Sequence, residues 1–319
     1  MKLFHVSSVF RGPQTNFKLM IHIKIRPGTW LFTLFLLLGL SGCSIVATQP
    51  EIIRPAVARP APKIALVLGG GGTRGFAHIG VIKYLETQGI VPDIIVGTSA
   101  GAVVGSLYAY GYNGFELQTL AIQMEEQSVI DWAWPDRGIF KGDALQKFIN
   151  SAVKQLPIEK LKRTFAAVAT DLNSGEIMVF RTGNTGQAVR ASCAVPGIFQ
   201  PVTILGHNYV DGGLVRPVPV SEARALGADF VIAVDISNKP KSNTTTSTLD
   251  VLMQTFDIMS QTINRYELPK ADIVIRPRTQ DIDVSNLDGR HIAVLEGEKA
   301  AAAIMPELKA KLEKLRKGR

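Results

Sequence analysis

The chain has 319 residues, 46% of them hydrophobic and 19% charged, which is enough apolar side chain for one substantial core. Its formal charge of +8 would suit a nucleic-acid partner. However, Lys2, Arg11, Lys18, Lys24 and Arg26 all precede Cys43 with no acid among them, leaving about +3 for the rest, an ordinary balance for a folded domain. Basic residues are not interleaved with aromatics along one stripe, so a nucleic-acid partner is excluded.

The N-terminus reads as an address. Lys24 and Arg26 precede the apolar run Trp30 to Leu40, which is short for a membrane span but suits a signal-peptide core. Leu40-Ser41-Gly42-Cys43 then resembles a bacterial lipobox, in which the cysteine is diacylated and becomes the mature N-terminus. Residues 1–42 are therefore expected to be a lipoprotein-type signal peptide. Residues 1–19 add nothing to that signal, so Met20 is an alternative start. Ser44 rather than Asp after the cysteine resembles outer-membrane sorting in enterobacterial lipoproteins, which places the chain on the periplasmic face of the bacterial outer membrane. The plain alternative is a buried free cysteine after an apolar strand. With Cys43 lipidated, Cys193 is the remaining thiol and no disulfide forms within the chain. Residues 43–62, with Pro50, Pro55, Pro60 and Pro62, have the composition of an extended tether. The folded domain is expected over 63–319.

Lys63 to Leu68 is a continuous apolar run, as in a strand buried on both faces. Glycines follow, then an amphipathic helix from Gly75 to Gln88 closed by Gly89. Asp93 to Val96 is a second strand and Ala100 to Tyr110 a second helix. This β-turn-α-β-turn-α order calls for a parallel sheet with helices packed on it. Further helices are expected at 114–127 and 143–153, the latter after a turn at 138–142. A hairpin is expected at 164–170 and 176–180 around Asn173-Ser174-Gly175, and a short helix at 186–194. Strands at 203–205, 208–210, 230–234 and 273–275 and helices at 249–266 and 291–315 complete the chain, with a polar loop at 239–248.

Three motifs carry chemistry. Gly70-Gly71-Gly72-Thr73-Arg74-Gly75 opens the first helix and can turn several backbone N–H groups toward one anion. It satisfies GxGxxG, yet there is no Gly-Lys-Ser/Thr, and the second strand carries its acid, Asp93, at its start rather than its end. Nucleotide binding is set aside. Arg74 either orients the loop, attracts an anionic head group or forms a surface ion pair. Gly97-Thr98-Ser99-Ala100-Gly101 joins a strand to a helix and is spaced as a nucleophile elbow, with small residues around a strained serine. The plain alternative is a tight turn with Ser99 capping the helix. Serine needs a base. His78 and His207 suit structural or surface roles, while His291 would complete a Ser-His-Asp triad. Asp211-Gly212-Gly213 is the better source, because an ionised carboxylate accepts the hydroxyl proton and two glycines clear space for it.

Together, in that order, the three motifs resemble those of the patatin-like phospholipase family, over residues 63–237. The resemblance implies an α/β fold, a three-layer α/β/α sandwich with a mainly parallel central sheet. It also implies a Ser-Asp dyad in which Ser99 is the nucleophile and Asp211 the proton acceptor. Gly70, Gly71, Gly72, Thr73, Arg74 and Gly75 correspond to the oxyanion loop; Gly97, Thr98, Ala100 and Gly101 to the elbow; Gly212 and Gly213 to the base motif. Weaker echoes are 138–145, 169–171 and Ala191-Ser192-Cys193-Ala194-Val195-Pro196. The implied substrate is a lipid or acyl ester, with no cofactor and no metal; lipidated Cys43 would add the membrane as partner. Trp132, Trp134 and Phe140 either line an acyl pocket or pack in the core. Two other readings stay open: a non-catalytic envelope lipoprotein binding lipid or a partner, and a triad esterase using His291.

Overall fold

A computed structural model describes residues 61–124, 131, 138–238, 247–282 and 287–318, so the expected signal peptide, Cys43, nearly all of the tether, Trp132 and Trp134 lie outside the described residues. The central sheet has eight strands among the described residues. Its parallel part is formed by β1 (Ile64–Leu68), β2 (Ile94–Thr98), β4 (Thr164–Asp171), β9 (Phe230–Val234) and β10 (Ile273–Ile275). Antiparallel strands β5 (Ile177–Phe180), β7 (Val202–Ile204) and β8 (His207–Asp211) extend it. β1 is buried at every position because both of its faces are covered. Ile64, Leu66 and Leu68 join one core with Ile95, Phe165 and the larger helical layer; Ala65 and Val67 join a second with Val96, Val168, Val220 and Ala223. Two cores on opposite faces of one sheet make the three-layer α/β/α sandwich.

The larger layer contains α1 (Phe76–Thr87), α2 (Ala100–Tyr110), α3 (Gly114–Gln123), α4 (Asp143–Ala152), α5 (Thr185–Ser192) and α8 (Arg290–Lys317). α3 starts at a capping box: Asn113 accepts from the amides of Phe115 and Glu116, and Glu116 accepts from the Asn113 amide at 2.8 Å. The other face is covered by α6 (Val220–Ala225) and by Leu268, which follows α7 (Thr248–Glu267).

Four local expectations are corrected. Residues 138–140 are not part of a turn: β3 (Gly138–Phe140) pairs in parallel with β6 (Gly197–Phe199), and their Phe140 and Phe199 rings lie 5.6 Å apart. Three-residue strands are too short to carry a hydrophobic period. The helix expected to run to 127 ends at Gln123, with 125–130 outside the described residues. The helix expected at 186–194 ends at Ser192, and α6 was not expected at all.

The edge of β4 positions the site. Ala167 and Val168 pair with both β2 and β5, while Ala169 and Thr170 pair with both β5 and β8. One residue has two edges, so β5 occupies one edge of β4 and β2 and β8 must share the other. β2 runs parallel to β4 and its last pair is Thr98 with Val168; β8 runs antiparallel and ends with Asp211 opposite Ala169. The two strands therefore run toward each other and stop at adjacent positions. Gly212 lets the chain turn away there, since a Cβ on it would lie 2.2 Å from the Val168 carbonyl oxygen.

Candidate active site

Ser99 follows the last residue of β2 and precedes the first of α2. Its backbone sits at φ 54°, ψ −123°, a conformation that costs a non-glycine residue about 1–3 kcal/mol. Gly97 permits the sharp turn: a Cβ there would come within 2.5 Å of the Ala102 nitrogen. The Ser99 carbonyl accepts from the Ala102 amide at 2.8 Å, so Ser99 is the N-cap residue, yet its side chain makes no capping bond. The hydroxyl is left for other chemistry, beside the positive end of the α2 dipole.

Asp211 is buried, 3% exposed. One carboxylate oxygen, Oδ1, accepts from the Gly213 amide at 2.7 Å. The other, Oδ2, is buried and holds no well-aligned hydrogen bond among the described residues. The Ser99 hydroxyl does bear on this carboxyl, opposing part of the effect of burial, so the contact is present but not closed into full geometry. Burial dominates and pushes the Asp211 carboxyl up to about 6, with the Ser99 hydroxyl and the Gly213 amide pulling the other way. A carboxylate poised there is ionised at neutral pH and still basic enough to take a proton.

The glycine loop leaves β1 directly against this pair. A Cβ on Gly70 would sit 3.3 Å from the Ser99 Cβ. The amides of Gly69 and Gly70 are taken by the carbonyls of Val234 and Pro217. Those of Gly71, Gly72 and Ala100 have no hydrogen-bond partner among the described residues. Arg74 is not a surface residue: at 7% exposure its Nε donates to the Gly71 carbonyl at 3.0 Å, and Asp257 lies 4.0 Å from its guanidinium. That bond holds the Gly71 carbonyl in place within the loop. Thr98 is pinned by its hydroxyl donating to the Arg216 carbonyl at 2.8 Å.

The histidines fall elsewhere. His78 is fully buried in α1, its ring pushed down to about 4 by burial and hence neutral, with Nε2 2.8 Å from the Gly69 carbonyl. It braces the start of the glycine loop. His207 is exposed in β8 and pairs with Asp171 at 2.8 Å. His291 is exposed in the first turn of α8 and contacts neither Ser99 nor Asp211 among the described residues.

Two neighbours have no role assigned from the sequence. The buried hydroxyl of Ser192 accepts from the Ser99 amide at 2.9 Å. The Cys193 thiol, pushed well up by burial and by the Asp211 charge, meets the Ser99 hydroxyl. Both belong to the 191–196 segment, which in the sequence is only a weaker echo of the family pattern, with no role given to either residue.

The α/β/α fold with a serine elbow and a buried carboxylate defines the class. The family model described as patatin-like phospholipase matches residues 66–224. Patatin-like phospholipase domain-containing protein 6 of Mus musculus is 34% identical over 191 residues, 57% of this chain but 14% of that protein. An NTE family protein of Mycobacterium bovis is 36% identical over 179 residues, 55% of this chain and 49% of its own. The chain thus spans about half, or much less, of the length of these relatives. The crystal structure of VipD from Legionella pneumophila has a similar fold, with a TM-score of 0.54 at 14% identity, over 78% of this chain and 68% of that one. Residues 66–224 of this chain thus belong to the patatin-like phospholipase family.

The buried carboxyl makes a signed prediction. Between pH 4 and 6 the unfolded chain gives up the Asp211 proton while the fold retains it, so wild-type stability falls as pH rises through that window. Relative to wild type, Asp211→Asn should gain up to about 3 kcal/mol between pH 4 and pH 7 in urea denaturation. Parallel pH dependences in the two proteins would contradict the assignment.

Proposed function

We propose that the protein is a serine acyl hydrolase of lipid esters, a phospholipase A, lysophospholipase or carboxylesterase, working through an acyl-serine intermediate. The observation that carries this reading is that Ser99 and a buried Asp211 come together at the shared edge of β4, with Asp211 Oδ2 lacking a hydrogen-bond partner among the described residues. Asp211 takes the Ser99 proton as Oγ attacks the ester carbonyl. Negative charge develops on the carbonyl oxygen beside the glycine loop and the start of α2. The unpaired amides of Gly71, Gly72 and Ala100 are the candidate donors to it. Gly70 contributes close approach rather than its N–H, which Pro217 holds. The alcohol leaves with the proton from Asp211. Asp211 then takes a proton from the water that attacks the acyl-serine and returns it to Ser99 Oγ as the acyl–Oγ bond breaks and the acid leaves.

His291, exposed in the first turn of α8, makes no hydrogen bond or ion pair with Ser99 or Asp211 among the described residues, so no observation favours a triad. The mycobacterial relatives are consistent with a bacterial source, and the lipobox at Cys43 supports an envelope protein tethered by lipid.

Ser99→Ala and Asp211→Asn should each abolish turnover of a p-nitrophenyl ester, and His291→Ala should leave it unchanged. Wild-type kcat/KM should fall below pH about 6, where Asp211 takes up a proton. Full activity in Asp211→Asn would refute the dyad. For the tether, Cys43→Ser should move the expressed protein from the membrane fraction to the soluble one; unchanged membrane association would contradict lipidation at Cys43.

A further inference from the structure

Ser192 ends α5 and is wholly buried. Its hydroxyl accepts from the Ser99 amide at 2.9 Å and donates to the Val168 carbonyl at 2.5 Å. One donor and one acceptor are thereby satisfied by a single O–H group. Thr98 with Val168 is the last pair of the β2–β4 ladder. The next bond of a parallel ladder in this register would run from the Ser99 N–H straight to the Val168 carbonyl. Ser192 stands between those two groups and holds them apart.

We propose that Ser192 is a positioning residue for the reaction: its hydroxyl, inserted into the ladder, holds Ser99 out of β2 and in the elbow that presents Oγ to Asp211. The proposal rests on the reading of Ser99 as nucleophile. The same segment also anchors the base, since the Asp211 amide donates to the Ala194 carbonyl at 2.9 Å. Residues 192 to 194 therefore grip both members of the pair from one helix end, Cys193 meeting the Ser99 hydroxyl between them. Without the Ser192 hydroxyl, two buried backbone groups lose their partners. The route to satisfying both is for Ser99 to settle against Val168, which withdraws Oγ from the carboxylate. The effect falls on the chemical step, because Ser192 is buried away from solvent and substrate.

The test is the acylation rate of the full chain by a fluorophosphonate, with ester turnover alongside, in wild type, Ser192→Ala, Ser192→Cys and Ser192→Thr. Ser192→Ala should acylate about 10²-fold more slowly and lose kcat with KM unchanged. Ser192→Cys should behave likewise, as its thiol is a weak donor and acceptor, and Ser192→Thr should recover most of the rate. Wild-type acylation in the Ala or Cys variant would overturn the proposal while leaving the nucleophile intact. So would a rise in KM at constant kcat, or the failure of both variants to fold cooperatively, which would make Ser192 purely structural. Absence of any adduct on Ser99 in wild type would overturn the nucleophile reading, and this proposal with it.

Discussion

One edge of one strand is claimed by two others. β2 arrives along β4 from one direction and β8 from the other, and neither can pass the point between Val168 and Ala169. Each chain must leave the sheet there: β2 through the tight turn at Ser99, β8 through Gly212 and Gly213. Residues separated by more than a hundred positions in sequence thus become neighbours by the exclusion rules of sheet pairing. Whatever chemistry the pair performs follows from that collision, since no other element has to move to bring them together.

The arrangement is expensive locally. Ser99 holds a positive φ, a carboxylate is buried with one oxygen unpaired, and two backbone groups at the end of the ladder rely on a side-chain hydroxyl. Strain and unsatisfied polar groups of this kind persist where the surroundings over-determine them. Here the surroundings are a sheet buried on both faces, His78 and Arg74 holding the Gly69 and Gly71 carbonyls at the start of the glycine loop, and an α5 terminus clamped on both ends of the break. The burial that makes Asp211 costly to ionise is also what raises its affinity for a proton.

Much of this was legible in the sequence, for identifiable reasons. Strand β1 is an unbroken apolar run, α2 is closed by Gly111, and the hairpin turns on Asn173-Ser174-Gly175, so local pattern decided them. The glycine loop, the elbow and Asp-Gly-Gly announce themselves because small residues at fixed spacing have few other uses. Pairing between distant strands does not: nothing local to 164–171 says that its edge is shared, and nothing local to 138–140 says that it finds 197–199. Ser192 stood within an echo of the family pattern, but its contacts were hidden for the same reason, since they depend on what a different strand does beside it. Arg74 could not be placed, since the same residue in the same motif can face solvent or fold back on its loop.

The central claim is that Ser99 is the reactive hydroxyl and that Asp211 makes it so. The direct measurement is peptide mass mapping of the full chain after a fluorophosphonate pulse, in wild type and in Asp211→Asn. The account predicts one adduct, on the peptide holding Ser99, in wild type, and little or none in the variant. An adduct on another residue, or equal labelling of Ser99 with and without the carboxylate, would contradict it.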